Sequence, residues 1–150
     1  MDAVDRKILA ELQANGRISL TDLAARVTLS VSPCHRRVRA LEQAGVITGY
    51  RARLDHAALG LGFQALIFVT MRSSDRDTLR AFESAVSDQP NILDAQRLFG
   101  KPDYLLRVAA RDLPAFQQFY DDQLAALPGV QLLTSTLVMK NVIEDRTLPL

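Results

Sequence analysis

Four residues able to read nucleic acid share one side of a single predicted helix: Ser32, His35, Arg36 and Arg39. An arginine fork matches the O6 and N7 acceptors of guanine in a two-pronged contact, and hydroxyl and imidazole groups donate to bases or phosphates. The sequence predicts the helix over residues 30–42. Ser30 or Ser32 is suited to accept from the free N–H groups at its start, and Pro33 fits the first turn, where its missing N–H costs nothing. Cys34, Val38 and Leu41 recur at helical spacing and face a core, and Gly45 stops the helix. Arg37 on the same helix and Arg26 just upstream are candidates for phosphate contacts. Ser19, Thr21 and Ser30 are suited both to capping and to donating to phosphate, and either role fits.

The elements that must position this face lie immediately upstream. Residues 4–15 read as a helix with Val4, Ile8, Leu9 and Leu12 on one side and Gly16 as its stop. Residues 18–27 read as a shorter helix with Leu20, Leu23, Ala24 and Val27 inward, and Thr28-Leu29-Ser30 as a tight turn. With a strand-like exit at residues 46–50, the order is that of a helix-turn-helix, winged-helix-like domain, which places its last helix in the major groove of double-stranded DNA. A basic helix face is commonly plain solvated surface. Here the charge is segregated along the chain. Residues 1–54 carry nine Lys/Arg against five Asp/Glu, a net of +4, and residues 55–150 carry nine against twelve, a net of −3. The polyanion partner therefore belongs to the first part alone.

Composition excludes several other classes. At 150 residues and 48% hydrophobic, the chain builds real cores and is not disordered. No apolar run approaches the roughly 20 residues needed to cross a bilayer. Asp2 and Asp5 stand where a secretory leader is basic, so a cytoplasmic location and no membrane partner are expected. A single cysteine forms no intrachain disulfide, and with only two histidines beside it no structural zinc site is expected. No nucleophile–base pair, phosphate-binding glycine loop or metal cluster suggests an enzyme.

Residues 55–62, with Gly60 and Gly62, read as a linker, and His56 there reads as a surface residue. Beyond it the pattern is strand–helix–strand–strand–helix–strand: strands at 63–71, 92–99, 104–110 and 130–139, and helices at 75–86 and 113–127. In the second helix Phe116, Phe119, Tyr120, Leu124 and Leu127 form the apolar stripe. This is a ferredoxin-like βαββαβ order, an antiparallel sheet with both helices on one face. The fold class is thus α+β, with domains at 1–54 and 63–139 and a C-terminal tail at 140–150. In the first strand Phe63, Ala65, Ile67, Val69 and Met71 point one way, while Leu66 and Phe68 point the other with Gln64 and Thr70. In the last strand Val130, Leu132 and Val138 alternate with Leu133, Leu137 and Met139. Both sheet faces are apolar, yet helices cover only one, so the second face is expected to pack on a two-fold-related copy.

Over almost its whole length the chain resembles the leucine-responsive / asparagine-regulator (Lrp/AsnC) family of bacterial and archaeal transcription regulators. The resemblance rests on Asp5-Arg6-Lys7-Ile8-Leu9, Gly16-Arg17-Ile18-Ser19, Ser32-Pro33-Cys34 with Arg37-Val38 and Leu41-Glu42, and Gly45-Val46-Ile47-Thr48-Gly49-Tyr50. In the second half it rests on Gly100 with Asp103-Tyr104-Leu105-Leu106, Leu127-Pro128-Gly129-Val130, and Val138-Met139. It implies a sequence-specific DNA-binding regulator that responds to a small amino acid or related metabolite and needs no cofactor. It further implies dimers formed through the C-terminal sheets and higher assemblies such as octamers. The family's ligands lie near the loop that Gly100-Lys101-Pro102-Asp103 occupies here. Backbone N–H groups at Gly100 and Lys101 suit a carboxylate, and Asp103 suits an ammonium. Thr134, Ser135 and Thr136 are further effector candidates. Glycine, proline and aspartate also serve any hairpin turn. The competing functional reading is an architectural DNA-binding protein of the same fold that needs no ligand.

Overall fold

The structure, a computed structural model, describes all 150 residues. The chain forms two compact units, Met1–Arg53 with Val142–Leu150, and Leu54–Asn141.

In the first unit α1 (Ala3–Ala14), α2 (Leu20–Arg26) and α3 (Val31–Gln43) pack around Ile8, Leu9, Leu23, Ala24, Val27, Cys34 and Leu41. Each of the first two helices starts on a side-chain cap. Asp2 accepts from the Asp5 N–H and Asp5 accepts from the Asp2 N–H, both at 2.9 Å, a reciprocal capping box. Ser19 accepts from the Asp22 N–H at 3.1 Å. At α3 Ser30 occupies the N-cap position without a side-chain cap bond, and Ser32 lies inside the first turn, so neither serine caps as expected. The α2–α3 turn is made by Thr28 at φ 60°. The end of α3 is closed by Gly45 at φ 69°, with the Val46 N–H bonded to the Leu41 carbonyl at 3.0 Å and the Gly45 N–H to that of Glu42.

Residues 46–50 are not a strand in this chain. They leave α3 as an irregular segment, with Ile47 packed on the core and the Tyr50 hydroxyl donating to Glu42 at 3.1 Å. The C-terminal residues join this unit. The Gln13 side-chain amide accepts from the Leu148 N–H at 2.7 Å and donates to its carbonyl at 3.3 Å, and Leu148 and Leu150 line a groove of about 900 Å³ with Leu9, Leu12 and Tyr50.

The second unit begins with a turn in which Asp55 accepts from the N–H groups of Ala57 and Ala58. His56 is half-buried rather than surface, its Nδ1 3.0 Å from Gln64 Nε2. Then follow β1 (Phe63–Met71), α4 (Arg76–Ser87), β2 (Ile92–Arg97), β3 (Tyr104–Ala110), α5 (Leu113–Phe119) and β4 (Val130–Leu137). The sheet is antiparallel in the order β2-β3-β1-β4. Ala65, Ile67, Val69, Leu106, Val108, Phe82, Phe116 and Leu124 are central to the core between the sheet and the helices. No helix of the structure is long and apolar enough to cross a membrane.

Two local departures from the expected pattern have a common cause. The expected single helix over 113–127 changes at Tyr120 into a π-helical segment, Tyr120–Leu124, with the Ala125 N–H bonded to the Tyr120 carbonyl. The extra residue in that turn keeps Leu124 and Leu127 buried against the sheet. In β4 the register steps between Leu132, opposite Thr70, and Val130, opposite Met71, leaving Gln131 as a bulge. Val130 therefore shares the helix-covered face with Leu133 and Leu137, while Leu132 lies on the other face. The expected grouping of Val130 with Leu132 is corrected by that one residue. β2 and β4 each end two residues earlier than expected, at Arg97 and Leu137, and Phe99 and Met139 are fully exposed.

Candidate nucleic-acid interface and effector site

On α3 each residue advances about 100° around the axis. Cys34 and Leu41 are buried, which fixes the inward direction. Ser32, Arg36 and Arg39 then cluster within roughly 60° on the opposite side. His35 lies beside them, and all four are exposed. Arg36 and Arg39 enter no ion pair with a carboxylate. Arg39 Nε sits 3.4 Å from His35 Nε2, one helical turn back, which ties the two into one polar strip. The outward face of α3 is thus an exposed polar strip, cationic at two positions and without a carboxylate partner.

The two arginines expected to meet phosphates are placed differently. Arg26 pairs with Glu11 of α1 at 2.8 Å. Arg37 sits on the flank of the core side, and its Nη1 bonds both Asp2 and Asp5 at 2.7 Å. The Asp5 N–H bond, and after it the Arg37 guanidinium, hold the Asp2 carboxyl below its ordinary pKa. Hydrogen bonds to Asp5 and Asp2 raise Arg37 further still. Sequence reasoning missed Asp2 and Asp5 as partners of α3. The only signal was two acids at the start of α1, which the helix dipole explains by itself.

The effector candidates are dispersed. Gly100, at φ 131°, and Lys101 are exposed at the β2–β3 hairpin, and Pro102 follows a cis peptide bond. Asp103 is half-buried. Its Oδ2 accepts from the Met71 N–H at 2.7 Å and its own N–H donates to the Val69 carbonyl, so it extends the β1–β3 ladder with a side chain. One carboxylate oxygen remains for a ligand. Thr134 and Thr136 pair with Phe68 and Leu66 across β4–β1 on the sheet's uncovered face, with β1 between them and the hairpin strand. Ser135 pairs with Ile67 on the other face. The hairpin groups form one local cluster, and the β4 hydroxyls are separate from it. No three His, Cys, Asp or Glu side chains converge on a common point as metal ligands.

A three-helix unit with an exposed basic face on its last helix, on a chain whose second unit is a ferredoxin-like sheet, defines a DNA-binding transcription regulator with a ligand-binding domain. The comparisons agree in both halves: the winged helix-turn-helix DNA-binding family matches residues 1–48 and the Lrp/AsnC ligand binding domain matches residues 64–148. The chain is 41% identical over 142 residues to a leucine-responsive regulatory protein of Rhizobium meliloti (strain 1021), covering 95% of this chain and 91% of that one. It is 38% identical to the Bkd operon transcriptional regulator of Pseudomonas aeruginosa, covering 100% and 98%. Among solved structures, a transcriptional regulator of Neisseria meningitidis in complex with L-Met matches at a TM-score of 0.94 and 40% identity, covering 99% of this chain and 96% of that one. The chain belongs to the Lrp/AsnC family.

Proposed function

We propose that this regulator reads operator DNA with Ser32, His35, Arg36 and Arg39 of α3 and changes its binding when a small amino acid occupies the C-terminal domain. The observation that carries the first part is the exposed strip on α3, whose two arginines have no carboxylate partner within the chain. It acts by binding rather than turnover, in the cytoplasm, where its DNA is. Residues 1–54 bind DNA, 55–62 connect, 63–139 take the effector and self-associate, and 140–150 form the tail. The working unit is a two-fold pair, assembled through the uncovered sheet face and able to build larger rings. Two linked recognition helices reach half-sites about one helical turn apart, and linkage raises the effective concentration of the second.

The similar structure that holds L-Met supports an amino-acid effector. In this chain Gly100 and Lys101 offer backbone donors to a carboxylate, and the unengaged oxygen of Asp103 suits an ammonium. The test has two arms. Operators are selected from random duplex DNA, and binding is measured by fluorescence anisotropy. Arg36→Ala with Arg39→Ala is expected to weaken it by about 1–3 kcal/mol for each arginine that reads a base. Full binding at moderate salt would overturn the recognition face. In the second arm the common amino acids are screened by thermal shift. A ligand at ~100 times its Kd adds about 2.7 kcal/mol of stability. The stabilisation is expected to vanish in Asp103→Ala, and its survival there would move the effector elsewhere.

A further inference from the structure

Arg37 is the cation of α3 that the reading face leaves out, and its surroundings assign it a different task. Asp2 and Asp5 each divide their two oxygens. Asp2 Oδ1 accepts the Asp5 N–H and Asp5 Oδ2 accepts the Asp2 N–H, closing the capping box, while Asp2 Oδ2 and Asp5 Oδ1 both accept from Arg37 Nη1. All four carboxylate oxygens are engaged. The first turn of α1 is therefore a preformed two-pronged acceptor, favoured by the helix dipole and filled by one guanidinium. The Asp5 side chain is only 14% exposed and that of Arg37 35%, so the contact is partly withdrawn from solvent screening.

The apolar contacts of α3 are few: Cys34 and Leu41 are buried, and Val38 is partly so. Such contacts are non-directional, so packing shape alone opposes rotation of the helix on its core. Charge-assisted hydrogen bonds to two fixed carboxylates are directional and add to that opposition. A recognition constellation tolerates only roughly 10–20° of misorientation.

We propose that Arg37 is a positioning residue rather than a phosphate contact: with Asp2 and Asp5 it fixes the rotation of α3 about its own axis, and so the aim of Ser32, His35, Arg36 and Arg39. This rests on α3 being the reading helix. It makes an expectation of unusual sign. Removing a negative charge from a DNA-binding unit ordinarily strengthens its hold on a polyanion. Here Asp5→Asn weakens specific binding.

Arg37→Met, Asp5→Asn and the double variant of the full-length protein are titrated with selected operator and with random duplex over a salt series. Each single variant is expected to lower the operator-to-random affinity ratio at least 10-fold. The double variant is expected to be no worse than the worse single, and the slope of log K against log salt to stay at the wild-type value. A slope shallower by about 0.9 in Arg37→Met is the signature of one phosphate neutralised fewer and would overturn the assignment. So would tighter binding by Asp5→Asn, or an unchanged ratio in both variants. If Arg37→Met fails to fold, Asp5→Asn carries the test alone, because asparagine keeps an oxygen for the Asp2 N–H and turns an NH2 donor, in place of the charged acceptor, toward Arg37. Arg36→Ala with Arg39→Ala runs in parallel: undiminished binding there would remove the reading face itself, whatever Arg37 does.

Discussion

Tyr104 is a buried tyrosine of the second core. Its side chain stacks obliquely on Phe82, with ring centroids 4.6 Å apart, and its hydroxyl donates to Glu83 at 2.7 Å. Burial first, and then the Glu83 carboxylate, push its pKa from 10.0 to about 12. The folded state thus keeps a proton that the unfolded chain gives up between those values. Stability from this group is full below pH 10 and is lost as pH rises toward 12. Tyr104→Phe is expected to cost about 1–2 kcal/mol at pH 7, the worth of the missing hydrogen bond, and to flatten that alkaline decline. Urea unfolding at pH 7 and across the alkaline range checks both. An alkaline limb equally steep in the variant would mean another group causes it. At this scale the sequence showed residue types and faces but not distant partners. Ser32, His35, Arg36 and Arg39 were legible because helical spacing alone aligns them. The engagement of Arg37 with Asp2 and Asp5, and of Asp103 with the Met71 N–H, joins residues more than 30 positions apart, which no local periodicity encodes.

At the scale of elements, the approach of α5 and its π-helical segment to β4 ends in a turn whose geometry only glycine satisfies. Gly129 has φ 72°, and a Cβ there would collide with Thr78 Cγ2 of α4 and crowd Met71 Cε of β1. The Gly129 carbonyl also accepts the Arg72 N–H at 2.9 Å, so the turn cannot shift freely. Gly129→Ala combines left-handed backbone strain with overpacking, and is expected to destabilise the second unit by about 2–4 kcal/mol. A cost below about 1 kcal/mol in chemical denaturation would show that Thr78 and Met71 give way. The ends of β1 and β3 were legible to the residue because turn-forming residues bound them, Gly60 and Gly62 ahead of β1 and Gly100-Lys101-Pro102-Asp103 ahead of β3. The π-helical segment and the bulge at Gln131 were not, because one added residue shifts the phase of a pattern without changing its composition. Residues 46–50 have strand-like composition, but a strand exists only where it finds a ladder partner, and within this chain they have none.

For the whole molecule, the return of Val142–Leu150 to the first unit was hidden in the sequence, since its contacts, the Gln13 side-chain amide on the Leu148 backbone and Arg53 beside Asp145, join distant positions. The uncovered sheet face was legible, and the proposed self-association rests on it. Phe68 lies opposite Leu105 on one side and Thr134 on the other, Leu66 lies between Arg107 and Thr136, and Leu132 is 57% exposed opposite Thr70. Arg107 pairs with Asp94 of β2, at 2.6 Å from its Nε, at the border of this apolar strip. An apolar centre rimmed by a satisfied ion pair has the layout of an interface. A stable one removes about 800 Å² from each partner; a charge at Phe68, between Leu105 and Thr134, meets no counter-charge there, and one at Leu66 finds Arg107 already engaged by Asp94. Leu66→Glu or Phe68→Glu is therefore expected to lower the mass by light scattering toward the 16.6 kDa of one chain. The fold itself should persist, because the core on the other face, built on Ala65, Ile67 and Val69, is untouched. With fewer linked recognition helices, operator affinity should fall in the same variants while Arg36 and Arg39 stay intact. Unchanged mass in both variants would place self-association on another surface and leave the strip to a different partner.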